Sequence, residues 1–383
     1  KNYSYYKNNT KLLFLLIIGL TLNKLFLLMF IRLLILPVTL ISFFSSAFAN
    51  DVKYIFPIAE TPQVPLDGNA DDPAIWFDKE DSKLSLVFGT DKYRGIYTYN
   101  LKGNIIGFSE SGRVNNIDLR SLNIDKNNYK TFIFGSNGTK NTLDLWVYAN
   151  EEMHQGSLKN DFSLSEKPHI SVLTNFLSYG VCAGYDKYLG LIAFVTEAKG
   201  SRVQVWQYAD DELALIHTFN NGDAYESEGC VYDDENRTLF ISEENNRGVI
   251  RAYKITNELR FNNPAVIDTR EGNIIGDPEG LAILNTDNKN GYLIASSQGS
   301  STFNVYDRNA PYSFIDKFSV NANGSFDAVS DTDGIDIINT YLNEDFPSGM
   351  IVVQDGHNTG EEEISKENFK YLSLKDLVAE LGL

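Results

Sequence analysis

The sequence predicts an all-β fold, a six-bladed β-propeller with four-stranded antiparallel blades. Three observations carry this expectation. Beyond Asn50 the helical period is almost absent, and short runs rich in Val, Ile, Phe, Tyr and Thr alternate with Gly, Asn and Asp turns. These runs group into six units of roughly 45–60 residues, a spacing that belongs to propellers and solenoids. Most units open on an acid-bearing stretch, clearest where Asp277-Pro278-Glu279-Gly280 runs straight into the apolar Leu281-Ala282-Ile283-Leu284.

The chain opens with two apolar runs, Leu12–Leu22 and Leu25–Phe44. From Met29 the residues read as a secretory signal: a basic end at Arg32, an apolar stretch Leu33–Phe44, and small residues at Ala47 and Ala49 that predict cleavage before Asn50. The competing reading is an uncleaved anchor, since Leu25–Phe44 is long enough to span a bilayer. Residues 50–383 are expected to form a single propeller domain, because no Pro- or Ser-rich linker divides them.

Unit one enters at Asp71-Asp72-Pro73 and continues through Ser85–Thr90 and Gly95–Tyr99. Unit two enters at Asn115–Arg120, unit three at Tyr179–Cys182, unit four at Glu226–Tyr232, unit five at Asp277–Ile283 and unit six at Asp331–Ile337. Three strands are visible in most units and a fourth joins successive ones, as at Ala214–Phe219. An early strand near Tyr54–Ile58 is expected to close the sixth blade and cover its edge. Apolar residues at 374, 377, 378 and 381 behind Ser373 predict a short capped helix at the end.

A formal charge of −18 becomes more negative once the leader, which holds five bases and no acid, is set aside. Such a field repels nucleic acid and anionic lipid and attracts cations. Four scattered histidines show no ligand spacing. The two cysteines, Cys182 and Cys230, sit in apolar runs and are expected as buried free thiols, although export would permit a bond. Chemistry built on His or Cys is therefore disfavoured.

In a propeller the first strand of every blade lines a central channel. The entrances therefore converge, which places Asp71/Asp72, Asp118, Glu226/Glu228, Asp277/Glu279 and Asp331/Asp333 at one end. Carboxylates so close raise one another's pKa, and a divalent cation relieves them. All-oxygen ligands favour Ca²⁺ over Zn²⁺ or Cu²⁺. Taken singly, each acid could equally be a turn residue, and a bound ion could serve structure alone. Lys92, Arg120, Lys140 and Lys199 lie on the corresponding loops, and metal with Lys and Arg is what phosphoryl oxygens require.

Asp67-x-x-Ala70-Asp71-Asp72-Pro73-Ala74-Ile75-Trp76 and Asn115-Asn116-Ile117-Asp118-Leu119-Arg120 resemble the two signature motifs of the β-propeller phytases. The resemblance extends over about residues 67–372, through Ser227-Glu228-Gly229, Ala295–Gly299, Ser330–Asp336 and Val353–Gly356. It implies a secreted or periplasmic, calcium-dependent 3-phytase, a monomer that hydrolyses phytate or its calcium complex. By that resemblance Glu228, Asp277, Glu279, Asp327 and Asp333 would hold calcium at the cleavage site, with Glu244 nearby. Lys92, Tyr179 and Lys199 would bind phosphate. Asp72, Gln354 and Asp355 fall at positions like the family's structural calcium sites.

One departure is the turn Ser136-Asn137-Gly138-Thr139-Lys140-Asn141, which lacks an Arg that relatives use on phosphate. Lys140 is expected to substitute as a point charge, with weaker binding, and with Arg120 to anchor a neighbouring phosphate. The implied reaction is direct attack of a metal-activated water, without a covalent phospho-enzyme. A metal-dependent lactonase or phosphotriesterase and a non-catalytic binding propeller are the alternatives.

Overall fold

A computed structural model describes residues 52–383, except 66, 67, 127, 245, 246, 257, 258, 262, 288 and 360–365. The predicted signal segment, its cleavage point and Asp67 lie outside the described residues. Val52–Leu383 form one compact unit. No helix among the described residues is long and apolar enough to cross a membrane.

Six sheets are present, as the repeat predicts. Blade 1 runs Ala70–Trp76, Leu86–Asp91, Gly95–Asn100 and Ile105–Ser109, and the next three blades follow the same four-stranded antiparallel plan. Their inner strands are Val114–Asn123, Ser178–Asp186 and Ser227–Asp233. Leu281–Asn285 is innermost in blade 5 and Ile335–Ile338 in blade 6.

Closure uses residues 53–60, slightly displaced from the expected segment. Pro57–Glu60 pairs antiparallel with Lys366–Ser373 and completes blade 6. Lys53–Ile55 goes elsewhere, adding a fifth, parallel strand to blade 5 along Phe314–Val320. The terminal helix, α2 (Leu374–Leu381), forms as predicted: Ser373 accepts from the Asp376 N–H, and Leu374 and Leu377 are buried. A helix that the sequence reading did not anticipate, α1 (Asn150–Leu158), follows Thr142–Ala149 of blade 2.

Alternation of side chains explains why these strands read as continuous apolar runs. Ala74 and Trp76 point into the packing layer shared with blade 2, beside Ile117, Ile133 and Trp146. Ile75 between them points the other way, into the layer shared with blade 6, beside Val352, Phe369 and Tyr371. Both faces of the blade are thus interior, and each buried large apolar side chain contributes roughly 1.5–3 kcal/mol. Further clusters fill the remaining gaps between neighbouring blades.

Cys182 and Cys230 are joined in a disulfide, which corrects the expectation of free thiols. They lie on adjacent inner strands with Cα atoms 5.6 Å apart. Their separation of 48 residues carries the chain from one blade's inner strand to the next.

Candidate active site

The inner strands of blades 1 to 4 share a defect at the same place. Pairing with the second strand slips between Ala70 and Pro73, Val114 and Ile117, Ser178 and Val181, and Ser227 and Cys230. Each bulge leaves two residues out of register and re-aims their side chains. The first of each pair is Asp71, Asn115, Tyr179 or Glu228. Glu279 and Asp333 precede the inner strands of blades 5 and 6 in the matching position. These six residues form a ring around one mouth of the channel.

Hydroxyl groups on the second strands tie that ring together. Thr90 Oγ accepts from the Asp72 N–H (2.9 Å) and donates to Asn115 O (2.8 Å) in the next blade. Thr196 repeats the pattern, accepting from the Gly180 N–H (2.8 Å) and donating to Ser227 O (2.5 Å). Ser242 donates to Glu279 O at 2.6 Å. The blades approach so closely that a Cβ on Gly180 would lie 1.8 Å from Glu228 O, and one on Gly229 2.0 Å from Glu279 O. Glycine after the ring residue is a packing requirement here.

Within the ring, carboxylate oxygens of Glu228, Glu244 and Glu279 lie within 4.8 Å of one another. Lys92 reaches over from blade 1, its Nζ 2.9 Å from Asp71 and 3.3 Å from Glu228. Asn115 donates to Glu228 Oε1 (3.1 Å) and Gln298 to Asp333 (2.6 Å). Burial would raise Glu228, but the Lys92 ammonium and hydrogen bonds from Glu279, Glu244 and Asn115 outweigh it and hold the carboxyl below the usual range. Glu244 moves the other way: burial and the Glu228 charge push it up to about 11. The same two causes raise Glu279 well above an ordinary carboxyl, and burial raises Asp333 to about 6.

This donor set fits a hard divalent cation. It is all oxygen, and Glu279 Oε2 and Glu244 Oε1 are buried with no hydrogen-bond partner. Two carboxyls that burial and a neighbouring charge keep protonated are groups that a cation would let ionise.

The other expected residues are distributed as follows. Tyr179 stands in the ring, its ring centroid 5.9 Å from Lys92 Nζ. Asp72 sits just inside, accepting from the Ile117 N–H at 3.0 Å. Gln354 backs Asp333, accepting from its N–H at 2.8 Å. Asp277 lies at the edge, paired with Arg270, and Asp331 is exposed beside His357. Lys199 lines a cavity of about 300 Å³ next to the ring, together with Lys92, Tyr179 and Glu226.

Several expected groupings do not form. Asp327 is not with Glu228 and Glu279; it pairs with the buried Lys370, which also meets Glu60, Asp355 and Asn358. Asp118 is not at the mouth. It accepts from the Ala183 N–H (2.8 Å) and lines a deeper cavity of about 230 Å³ with Asp234, Asp336 and Arg120. Arg120 and Lys140 do not share a subsite. Arg120 bonds Asp118 and Asp234 inside the channel, five residues down the strand from Asn115, or about 16 Å at strand spacing. Lys140 faces Ser111 O (3.4 Å) and Asp144 (4.0 Å). The sequence reading missed Asn115 as a ring member, Gln298, Arg270 and Lys370. Aligning Asn115 with Asp71 and Glu228 would have found the first, and Gln298 falls within the Ala295–Gly299 stretch of the resemblance; no local pattern marks Arg270 and Lys370.

The family model for phytases matches residues 24–382. The chain belongs to the phytase family. It is therefore a phosphoric monoester hydrolase. It is 29% identical over 352 residues to the 3-phytase of Bacillus subtilis (strain 168), covering 88% of each chain. Among solved structures, the Penicillium chrysogenum α-L-arabinanase superposes with a TM-score of 0.52 at 11% identity, over 84% of this chain and 99% of that one. A luciferin-regenerating enzyme gives 0.50 at 11% identity, over 83% and 93%. At such identities these two similarities concern the fold alone.

Proposed function

We propose that this phytase is a secreted or periplasmic, calcium-dependent, monomeric enzyme that releases phosphate from phytate or calcium-phytate. The observation that carries this is the buried meeting of Glu228, Glu244 and Glu279 beside Lys92 and Tyr179. Glu228, Glu244, Glu279 and Asp333 would hold calcium, with Asp277 at the edge. Asp72, Gln354, Asp355 and Asp327 lie outside that set and would act structurally. Bound calcium would neutralise phosphoryl oxygens and supply a water of lowered pKa. Lys92, now shared between Asp71 and Glu228, is the donor a phosphoryl oxygen would draw on. Tyr179 and Lys199 complete the phosphate contacts. Burial holds the Tyr179 hydroxyl far above its ordinary pKa, so it acts as a neutral donor. The Cys182–Cys230 bond supports an oxidising compartment.

The decisive assay is phosphate release from phytate after exhaustive dialysis against EDTA. Activity should vanish and return with added Ca²⁺. Full activity without any divalent ion would reject the reading.

A further inference from the structure

We propose that Arg202 and Glu197 form a clasp that positions Lys199 for its contact with phosphate, so that both act as positioning residues in the reaction. This rests on the reading of Lys199 as a phosphate ligand and adds the device that holds it. Gly190–Glu197 and Arg202–Ala209 are adjacent strands of blade 3, and their last backbone pair is Thr196 with Val203. Residues 198–201 therefore make an open turn. Lys199 stands in the middle of it, on the wall of the cavity that Lys92 and Tyr179 also line.

A lysine does not adopt this turn unaided. Lys199 has a φ of 56°, in the left-handed region, where its Cβ crowds the following carbonyl. Such a residue persists only where its surroundings over-determine it. Here Arg202 Nε donates to Glu197 Oε2 at 2.8 Å and Nη2 donates to Oε1, a two-pronged pair across the base of the turn. The Arg202 guanidinium lies 5.1 Å from the centroid of the Phe176 ring, which is buried in the layer between blades 2 and 3. The Glu197 carboxylate folds over the turn in its place. A Cβ on Gly200 would lie 2.2 Å from Glu197 Oε2, so only glycine leaves it room. The flanks are fixed by the Ala198 N–H on Leu177 O (2.9 Å) and the Asn221 N–H on Ser201 O (2.7 Å).

The placement matters because a lysine is a point charge on a flexible four-carbon stem. Its contribution to binding grows as its freedom is removed beforehand. For the fold, by contrast, the clasp does little: the Arg202 side chain is 45% exposed, and exposed ion pairs contribute little stability. The hydrogen bonds from Arg202 hold the Glu197 carboxyl below the usual range, so the pair stays charged near neutral pH.

The test measures kcat and KM on phytate with calcium for wild type, K199A, R202A, E197Q and the double variant K199A/R202A. K199A should raise KM about tenfold, the loss expected for one charge-assisted contact. R202A and E197Q should each raise it about threefold, with kcat within about twofold and Tm within about 2 °C of wild type. In the K199A background R202A should add nothing, since the group it positions is gone. Calorimetric binding of inositol hexasulfate, which is not hydrolysed, should weaken about threefold in R202A. An unchanged KM in both R202A and E197Q, or the same threefold loss with and without Lys199, would overturn the clasp. If K199A itself keeps the wild-type KM, the reading of Lys199 as a phosphate ligand fails, whereas an impaired K199A beside indifferent R202A and E197Q removes the clasp alone.

Discussion

Glu279 and Glu244 each keep a buried oxygen without a partner, and both are held protonated by burial and by the Glu228 charge. An amide should therefore replace either carboxyl at little cost to the ion-free protein. In EDTA the E279Q variant is expected to melt within about 2 °C of wild type, since its change is below about 1 kcal/mol. Its calcium-induced rise in Tm should disappear, and kcat should fall at least about 100-fold, a typical loss for a group that organises charge at the reacting centre. Differential scanning fluorimetry and phosphate release check both. The pH dependence has a definite sign. A carboxyl whose folded pKa is raised contributes stability that is complete below its unfolded value, about 4.3, and lost as pH rises towards the folded value, about 11 for Glu244. The ion-free protein should lose stability as pH climbs from 5 to 9, while the calcium-dependent gain in Tm grows, with protons released on binding. Flat behaviour across that range would contradict the assigned charges. Glu228, Glu279 and Asp333 were legible because repetition aligned them. Asp118 was misplaced because the bulge inserts residues, so that Asn115, not Asp118, holds blade 2's place on the ring.

The disulfide and α1 are the elements that local pattern did not reveal. Cys182 and Cys230 belong to different blades, and only the closure of the propeller sets their strands side by side. Closing a loop of 48 residues stabilises by roughly 4 kcal/mol in the chain-entropy model. The double variant C182S/C230S should melt about 6 °C lower, read by calorimetry. Because Glu228 lies two residues before Cys230, its calcium midpoint should also shift to higher concentration. α1 escaped notice because Met153 is its only buried large apolar residue and no side chain caps its start. It is fastened from outside instead, by the Ser157 hydroxyl on Leu84 O (2.6 Å) and by His154 Nδ1 at 2.7 Å from Asp78. The hydrogen bond to Asp78 raises the His154 pKa. That contribution is complete below about 6.5, the free imidazole value, and fades as pH passes the raised one. H154Q should thus narrow its Tm difference from wild type between pH 6 and pH 9.

Blade architecture was the most legible level, since every packing layer repeats one alternation of apolar side chains seen in Ala74, Ile75 and Trp76. What periodicity did not specify was how the two ends meet. Pro57–Glu60 takes the outer place in blade 6, and Lys53–Ile55 crosses to blade 5, because each supplies backbone partners to an otherwise bare edge. A chain truncated to start at Thr61 should lose cooperative unfolding and aggregate, as scored by gel filtration and thermal melting; a sharp transition at the wild-type temperature would refute that role for the strands at 53–60. The closure also orders events in time. Asp71 and Asp333 become neighbours only after the final blade has docked against the first, as the Gly334 N–H meets Asp71 O. A polypeptide whose last blade has not yet docked already holds Asp71, Glu228 and Glu279 but no finished circle, so the complete acidic ring belongs only to molecules whose last strand has arrived.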